Sequence, residues 1–269
     1  MEGLKKSILL LKGENKLNDF LMMLETQKKE VSSLPPAFSN VNFVFSDGGE
    51  EMSVLEFDLV VLLTNPDQRL WNIMLEAEKQ GIPTLNQSNL ILKYNDCLET
   101  QLDLHKWGFP IPRLGKAGIK KRRFHESRKN GKKSFLHWNS NIDQDTESWY
   151  FEEMIDGDLF KIKVLGRQTP YVVQIKKNEA GTETRIDRTK DFTWLAEIGL
   201  EIALKVGSDL LSIDIIIESS SGIPFCIDIN LGNALTGVNN GAIELLTYLS
   251  KRVTEGGEYP RVPSVPSLS

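Results

Sequence analysis

The chain has 269 residues, 40% of them hydrophobic and 26% charged, with a formal net charge of -5 at pH 7. That length builds one large domain or a few subdomains around a sizeable core, and the composition is that of a folded globular protein rather than a disordered or fibrous one. The acidic balance disfavours long-range attraction to nucleic acid or an anionic membrane, apolar runs fall short of the roughly 20 residues of a membrane span, and two cysteines, Cys97 and Cys226, make no disulfide framework.

Ser7-Ile-Leu-Leu-Leu11 reads as a buried strand. The run is too short for a secretory leader and lacks a small-residue cleavage site, so a cytoplasmic location with reduced thiols is expected. Lys16 to Gln27 has helical spacing, with Leu17, Phe20, Leu21 and Leu24 on one face. Pro35 and Pro36 break what precedes them, and Val41-Asn-Phe-Val-Phe45 is a second strand followed by the Asp47-Gly-Gly turn. Phe57 to Leu63 is a continuous apolar run, as in a strand covered on both faces. Pro66 opens a helix that reaches Lys79 and ends at Gly81, and Pro83-Thr-Leu-Asn86 is a short strand. This alternation of strand and helix predicts a small parallel α/β layer.

Ser88 caps a helix predicted to run to Trp107 and Gly108, with Lys93, Asn95 and Asp96 in its early turns. Gly108-Phe-Pro-Ile-Pro112 follows. Residues 114–134 are strongly basic, with Lys120, Lys121, Arg122, Arg123 and Arg128. Such a run is a solvated hairpin or a grip on an anion. Trp149 to Ile155 is a strand, and Leu159 to Gly166 alternates, with Phe160, Ile162 and Val164 on one face and Lys161 and Lys163 on the other. A strand that buries one face aims both lysines from the other toward a site, which suits phosphate binding; of the two, Lys163 reads as solvated. Tyr171 to Lys176 is another strand; Arg185 and Arg188 beyond it are surface arginines or partners of a carboxylate; Phe192 to Val206 is an amphipathic helix closed by Gly207.

Leu211 to Asn230 places two Ile-rich runs about a Ser-Ser-Ser-Gly centre, the pattern of a β-hairpin. Folded about Ser221, it sets Asp214 opposite Asp228, with Asn230 on the same side as Asp228. Opposed residues have Cβ atoms about 5 Å apart, and two anions at that distance either face solvent at strand ends or share a hard cation such as Mg²⁺, which takes one or two carboxylates and leaves other positions to water and phosphate. Ala242 to Val253 is the last helix, and the proline-rich tail from Gly256 is expected to be disordered.

In order and spacing, Gly108-Phe-Pro-Ile-Pro112, the Trp149–Ile155 strand, Leu159-Phe-Lys-Ile-Lys-Val-Leu-Gly166 and Asp214…Asp228-Ile-Asn230 resemble the ATP-grasp superfamily over about residues 80–250. The resemblance implies an α/β fold with α+β elements: a small N-terminal parallel layer, residues 1–87, then two α+β subdomains whose antiparallel sheets clamp the nucleotide, about 110–155 and 156–255 within a region spanning 88–255, and a tail at 256–269. It implies ATP and Mg²⁺ as cofactors, with Mn²⁺ as an alternative ion. By position, Asp214, Asp228 and Asn230 match the metal ligands, Lys121 and Lys161 the phosphate contacts, Glu152 to Ile155 (Glu152, Glu153, Met154 and Ile155) the adenine hinge and Asp158 the ribose contact. Lys93 joins the nucleotide candidates, and Lys161 and Arg185 are the catalytic ones.

The resemblance implies a strand ending at Ile119-Lys-Lys121, a phosphate-covering loop at Phe124 to Gly131 and a return strand at Lys133 to Trp138, but the superfamily's glycine-rich loop is not matched, since only Gly131 remains in the basic segment. Most members are carboxylate–amine ligases acting through an acyl phosphate, and the closest resemblance is to ribosomal-protein glutamate ligases and their peptide-modifying relatives. Leu159–Gly166 and Cys226-Ile-Asp-Ile-Asn230 are also similar to inositol polyphosphate kinases, and a binding module without turnover is a third reading. The expected partners are ATP and a small-molecule or peptide carboxylate and amine, without nucleic acid or membrane and with oligomerisation open.

Overall fold

The computed structural model describes residues 5–31, 35–49, 52–64, 68–115, 118–122, 149–178, 181–232 and 234–255. The loop expected at Phe124 to Gly131, its return strand and the tail from Gly256 lie outside these residues.

The chain begins with a parallel sheet. Strands β1 (Lys6–Leu11), β2 (Val41–Ser46), β3 (Leu59–Leu62) and β4 (Thr84–Leu85) are ordered β2-β1-β3-β4, connected in part by helices α1 (Glu14–Glu30) and α2 (Gln68–Lys79). Ile8 to Leu11 and Leu59 to Leu62 are fully buried, which is why these runs are apolar at every position rather than at alternate ones. Ile8 and Leu10 pack with Phe20 and Leu24 of α1, whereas Leu9 and Leu11 pack with Leu70 and Met74 of α2.

The helix predicted from Ser88 to Trp107 is two helices, α3 (Ser88–Asn95) and α4 (Cys97–Lys106). Asp96 breaks the run. Its backbone is extended (φ -82°, ψ 102°) and its carboxylate accepts from Leu98 N and Glu99 N at 3.0 and 3.2 Å, capping α4. Ser88 is the first residue of α3 rather than its cap, and its amide donates to Glu78 Oε1 at 2.7 Å.

A small antiparallel sheet follows, β5 (Leu114–Gly115), β6 (Ile119–Arg122) and β7 (Trp149–Glu152), ordered β5-β7-β6. The larger sheet comprises β8 (Gly157–Leu165), β9 (Thr169–Lys177), β10 (Glu183–Asp187), β11 (Leu210–Glu218) and β12 (Pro224–Asn230) in the order β10-β9-β8-β11-β12, antiparallel throughout. Helix α5 (Thr193–Val206) covers β8 and β9 and ends at Gly207, whose φ of 75° is the left-handed geometry glycine adopts without a steric penalty. Helix α6 (Gly241–Thr254) lies against α1, where Gln27 Oε1 accepts from Ala242 N at 2.9 Å. No helix among the described residues is long and apolar enough to cross a membrane.

Asn86, just beyond β4, fastens the parallel layer to the large sheet. It is 2% exposed. Its Nδ2 donates to the carbonyls of Leu210 and Leu231, and its Oδ1 accepts from Ser208 Oγ at 2.7 Å. One side chain therefore satisfies polar groups at the start of β11 and just past the end of β12, and so helps fix where the hairpin lies relative to the strand ends of the parallel layer.

Candidate functional site

The β11–β12 hairpin pairs Asp214 with Asp228 and Ser212 with Asn230, in the register expected from folding about Ser221. Beyond Asp214 the register shifts, so that Ile215 meets Cys226 and Ile227 is the extra residue of a β-bulge. The bulge is held from outside. Lys121 Nζ donates to the Ile227 carbonyl at 3.1 Å, and Cys226 N donates to Pro110 O at 2.8 Å. Lys121 also forms an ion pair with Glu152, and both side chains are buried. The small sheet and the segment before it are thus tied to the hairpin next to its carboxylates.

On the other side of Asp214 lies β8, with Lys161 in register. Lys161 Nζ is 2.7 Å from both carboxylate oxygens of Asp214. Asn230 Nδ2 donates to Asp228 Oδ2 at 3.4 Å. A cation and two carboxylates therefore lie across three adjacent strands, with an amide beside the second carboxylate. No group of three His, Cys, Asp or Glu suited to a metal ion occurs among the described residues. The donor set here is two carboxylates and an amide oxygen, all hard ligands, which fits Mg²⁺, an ion that keeps several positions for water or phosphate.

The hairpin borders a cavity of about 330 Å³ between the large sheet and the carboxyl ends of β1 and β3. Lys12, Asp19, Leu63 and Thr64 come from the parallel layer; Lys161, Lys163, Arg185, Ser212 and Asn230 come from the sheet; Gly232, Ala234 and Thr236 belong to the loop after β12. Two glycines make this close approach feasible. A Cβ on Gly232 would lie 2.5–2.6 Å from the Thr64 backbone, and one on Gly237, whose φ is 84°, would lie 2.8 Å from Arg185 Cβ.

Lys163 corrects the expectation of a solvated lysine. It is 5% exposed, because the face of β8 opposite α5 is covered by the parallel layer and the loop after β12. Its Nζ donates to Thr236 Oγ1 at 3.2 Å, and Arg185 Nη1 donates to the same oxygen at 2.9 Å. Burial, then the charges of Lys161 and Arg185, push the Lys163 ammonium down to about 7, with Asp214 opposing and Lys12 adding to the shift. Lys12 is 4% exposed, with its ammonium 5.2 Å from the centre of the Phe20 ring.

This arrangement of sheets recurs in solved structures. D-alanine–D-alanine ligase from Bacillus anthracis complexed with ATP is similar over 94% of this chain and 99% of its own, with 12% identity and a TM-score of 0.61. The ATP-grasp ligase PsnB complexed with its minimal precursor is similar over 95% of this chain and 100% of its own, with 14% identity and a TM-score of 0.57. A putative ATP-grasp superfamily protein from Archaeoglobus fulgidus is similar over 96% and 90%, with 15% identity and a TM-score of 0.58. The chain has the ATP-grasp fold. No protein-family model and no curated sequence matches it.

Within the ATP-grasp fold, Glu153, Met154 and Ile155 lie in the connection from β7 to β8, between the two antiparallel sheets. Glu153 N donates to Arg113 O at 2.9 Å, and Met154 is 64% exposed. Asp158 is exposed near the start of β8, opposite Ile217. Arg185 is brought to the cavity, while Arg188 sits outside it with Asp191 at 3.0 Å. Lys93 is apart from the cavity lining: it pairs with Asp103 of α4 at 2.6 Å and lies over the Tyr94 ring. Lys12 and Thr236, which line the cavity, were not legible as site residues. Lys12 immediately follows the buried strand Ile8–Leu11, and the position just past the carboxyl end of a parallel strand, where α/β sheets bind ligands, was the available signal for it.

Proposed function

We propose that the chain is an ATP- and Mg²⁺-dependent enzyme that joins a carboxylate to an amine, with Mn²⁺ as an alternative ion. The observation that carries this reading is the row formed by Lys161, Asp214 and Asp228 across β8, β11 and β12 beside a cavity. Its supporting context is the fold, found also in a ligase complexed with ATP and in PsnB complexed with a phosphomimetic precursor, Mg and ADP. Residues 88–255 form the nucleotide-binding region in this reading, with residues 1–87 as the layer that helps hold the second substrate.

The proposed roles follow from position. The backbone at Glu152, Glu153, Met154 and Ile155 meets the adenine edge, and Asp158 accepts from ribose hydroxyls, which a carboxylate does well. Lys121, between Glu152 and the bulge, is the inner phosphate contact. Mg²⁺ bound through Asp214, Asp228 and Asn230 would neutralise charge on the phosphate oxygens. Lys161, which Asp214 holds in place, would offset charge developing on the phosphoryl group in transfer. A substrate carboxylate oxygen attacks the γ-phosphorus and ADP leaves, giving an acyl phosphate. Arg185 orients that carboxylate. The amine nitrogen then attacks the acyl carbon, the bond to phosphate breaks, and the new amide loses its extra proton. No protein nucleophile is required, in keeping with Cys226, whose thiol burial pushes up to about 12.

A phosphotransferase acting on a polyol phosphate is the second reading, favoured by the cations of the cavity. ADP release separates the two. The ligase reading predicts ADP only when a carboxylate and Mg-ATP are both supplied, with amide product appearing on addition of an amine. ADP formed with a polyol phosphate alone contradicts it.

A further inference from the structure

Two hydroxyls on the cavity wall have protons to give. Ser212 on β11 stands in register between Lys163 of β8 and Asn230 of β12, so its side chain shares their face of the sheet. It is 6% exposed and lines the cavity, and its hydroxyl has no hydrogen-bond partner among the described residues. A buried hydroxyl without a partner costs stability that an alanine would not. This one lies one alternation along β11 from Asp214, about 7 Å by strand rise.

Thr236 comes from the loop after β12. Its Oγ1 accepts from Lys163 Nζ at 3.2 Å and from Arg185 Nη1 at 2.9 Å. Those bonds take both lone pairs and leave the hydroxyl proton to give, and no described residue accepts it. The loop is fixed on either side of Thr236. Leu235 is fully buried with a φ of 50°, a left-handed conformation that a leucine keeps only where its surroundings hold it. Asn239 N donates at 3.0 Å to Oδ2 of Asp187, two residues along β10 from Arg185. One edge strand thus pins the loop twice and sets the Thr236 hydroxyl beside the Arg185 guanidinium.

The wall therefore offers two hydroxyl protons and a guanidinium next to the row of Lys161, Asp214 and Asp228. A carboxylate answers such a wall, because when ionised it only accepts, with about four lone-pair sites on its two oxygens. A primary amide would set its own N–H groups against Arg185. We propose that Ser212 and Thr236 are substrate-contacting residues: their hydroxyls, beside Arg185, donate to the oxygens of the carboxylate that is phosphorylated. This rests on the ligase reading of the same site. The cavity's 330 Å³ is at the small end for ligand sites, which favours a compact acid.

The test is a thermal-shift screen of the full chain at constant ionic strength with acetate, butyrate, glutarate and the common amino acids, each with and without Mg-ADP. The acid that stabilises wild type most is then titrated, beside its primary amide, against Ser212→Ala, Thr236→Val and Thr236→Ser. Wild type should hold the acid at least about tenfold more tightly than the amide, the worth of one charge-assisted hydrogen bond. Ser212→Ala and Thr236→Val should each weaken the acid by about tenfold while stabilisation by Mg-ADP persists. Thr236→Ser, which keeps the donor, should stay within about threefold of wild type. A merely structural role for either hydroxyl would move the ligand-free melting temperature but not the ratio of acid to amide affinity. No stabilisation by any acid, equal affinity for the amide, or an acid affinity unchanged in Ser212→Ala or in Thr236→Val overturns the proposal. Failure of Mg-ADP to stabilise wild type instead counts against the ligase reading, and the titrations without nucleotide still decide which groups hold the acid. Thr236→Val also takes an acceptor from Lys163 and Arg185; should it melt sharply lower, Ser212→Ala, which removes a hydroxyl that no described residue holds, decides the question.

Discussion

At the scale of single residues, the chemistry rests on where charge is buried. Lys163 has a folded-state value of about 7 against 10.5 for a free lysine, with burial as the first cause and Lys161, Arg185 and Lys12 adding to it. The unfolded chain keeps this proton up to about pH 10.5, whereas the native protein gives it up above about pH 7. The native state is therefore penalised in full below pH 7, and the penalty fades as pH rises toward 10.5. Replacing Lys163 with Met removes the effect. Lys163→Met is expected to melt higher than wild type at pH 6.5, with the gain shrinking steadily by pH 9.5. Thermal denaturation of the two proteins side by side across that range checks this, and titrations elsewhere, such as that of the Cys226 thiol, cancel in the difference. A gain that does not vary with pH would show that Lys163 keeps its proton in the native protein.

Residues also mark where sequence reasoning stops. Asp214 and Asp228 could be paired from the hairpin alone, because period-2 alternation and a short polar turn set the register between them. The burial of Lys163 could not, since alternation gives the face of β8 but not what covers that face. Asn86 is similar. Nothing about an Asn after a short strand announces that it holds carbonyls 124 and 145 residues away.

At the scale of elements, the bulge at Ile227 joins the two antiparallel sheets. Lys121 on β6 reaches both the bulge carbonyl and Glu152 on β7. Breaking a buried ion pair by removing one partner typically costs about 3–5 kcal/mol, because the other charge is left buried. Lys121→Met is expected to lose stability of that order in urea denaturation, and Lys121→Met with Glu152→Leu to recover most of it. If Lys121 is also a phosphate contact, the double variant regains stability without regaining nucleotide affinity. A double variant as unstable as the single one would place the effect of Lys121 in the bulge carbonyl instead. The break between α3 and α4 shows how an element is misread: hydrophobic spacing continues through Asp96, but an Asp side chain competes for the amides of the next turn and caps it.

At the scale of the whole molecule, the parallel layer at the start of the chain and most strands of the large antiparallel sheet were foreshadowed by their sequence patterns, continuous apolar runs in the first and alternation on β8 in the last, whereas β5 of the small sheet and β10 of the large one were not. Nor was the meeting of the sheets, because it depends on contacts between segments more than a hundred residues apart. That meeting creates the cavity, with the end of β1, the middle of β8 and the loop after β12 as its walls.

The central claim is that Asp214 and Asp228 hold the Mg²⁺ that brings nucleotide phosphate to Lys161. The most direct measurement is the melting temperature of wild type and of Asp228→Ala with ATP, in the presence and absence of Mg²⁺. A ligand at about 100 times its Kd stabilises by roughly 2.7 kcal/mol, or several degrees for a chain of this size. The account predicts that shift in wild type only with Mg²⁺, and its loss in Asp228→Ala. An equal Mg²⁺-dependent shift in both proteins would contradict it.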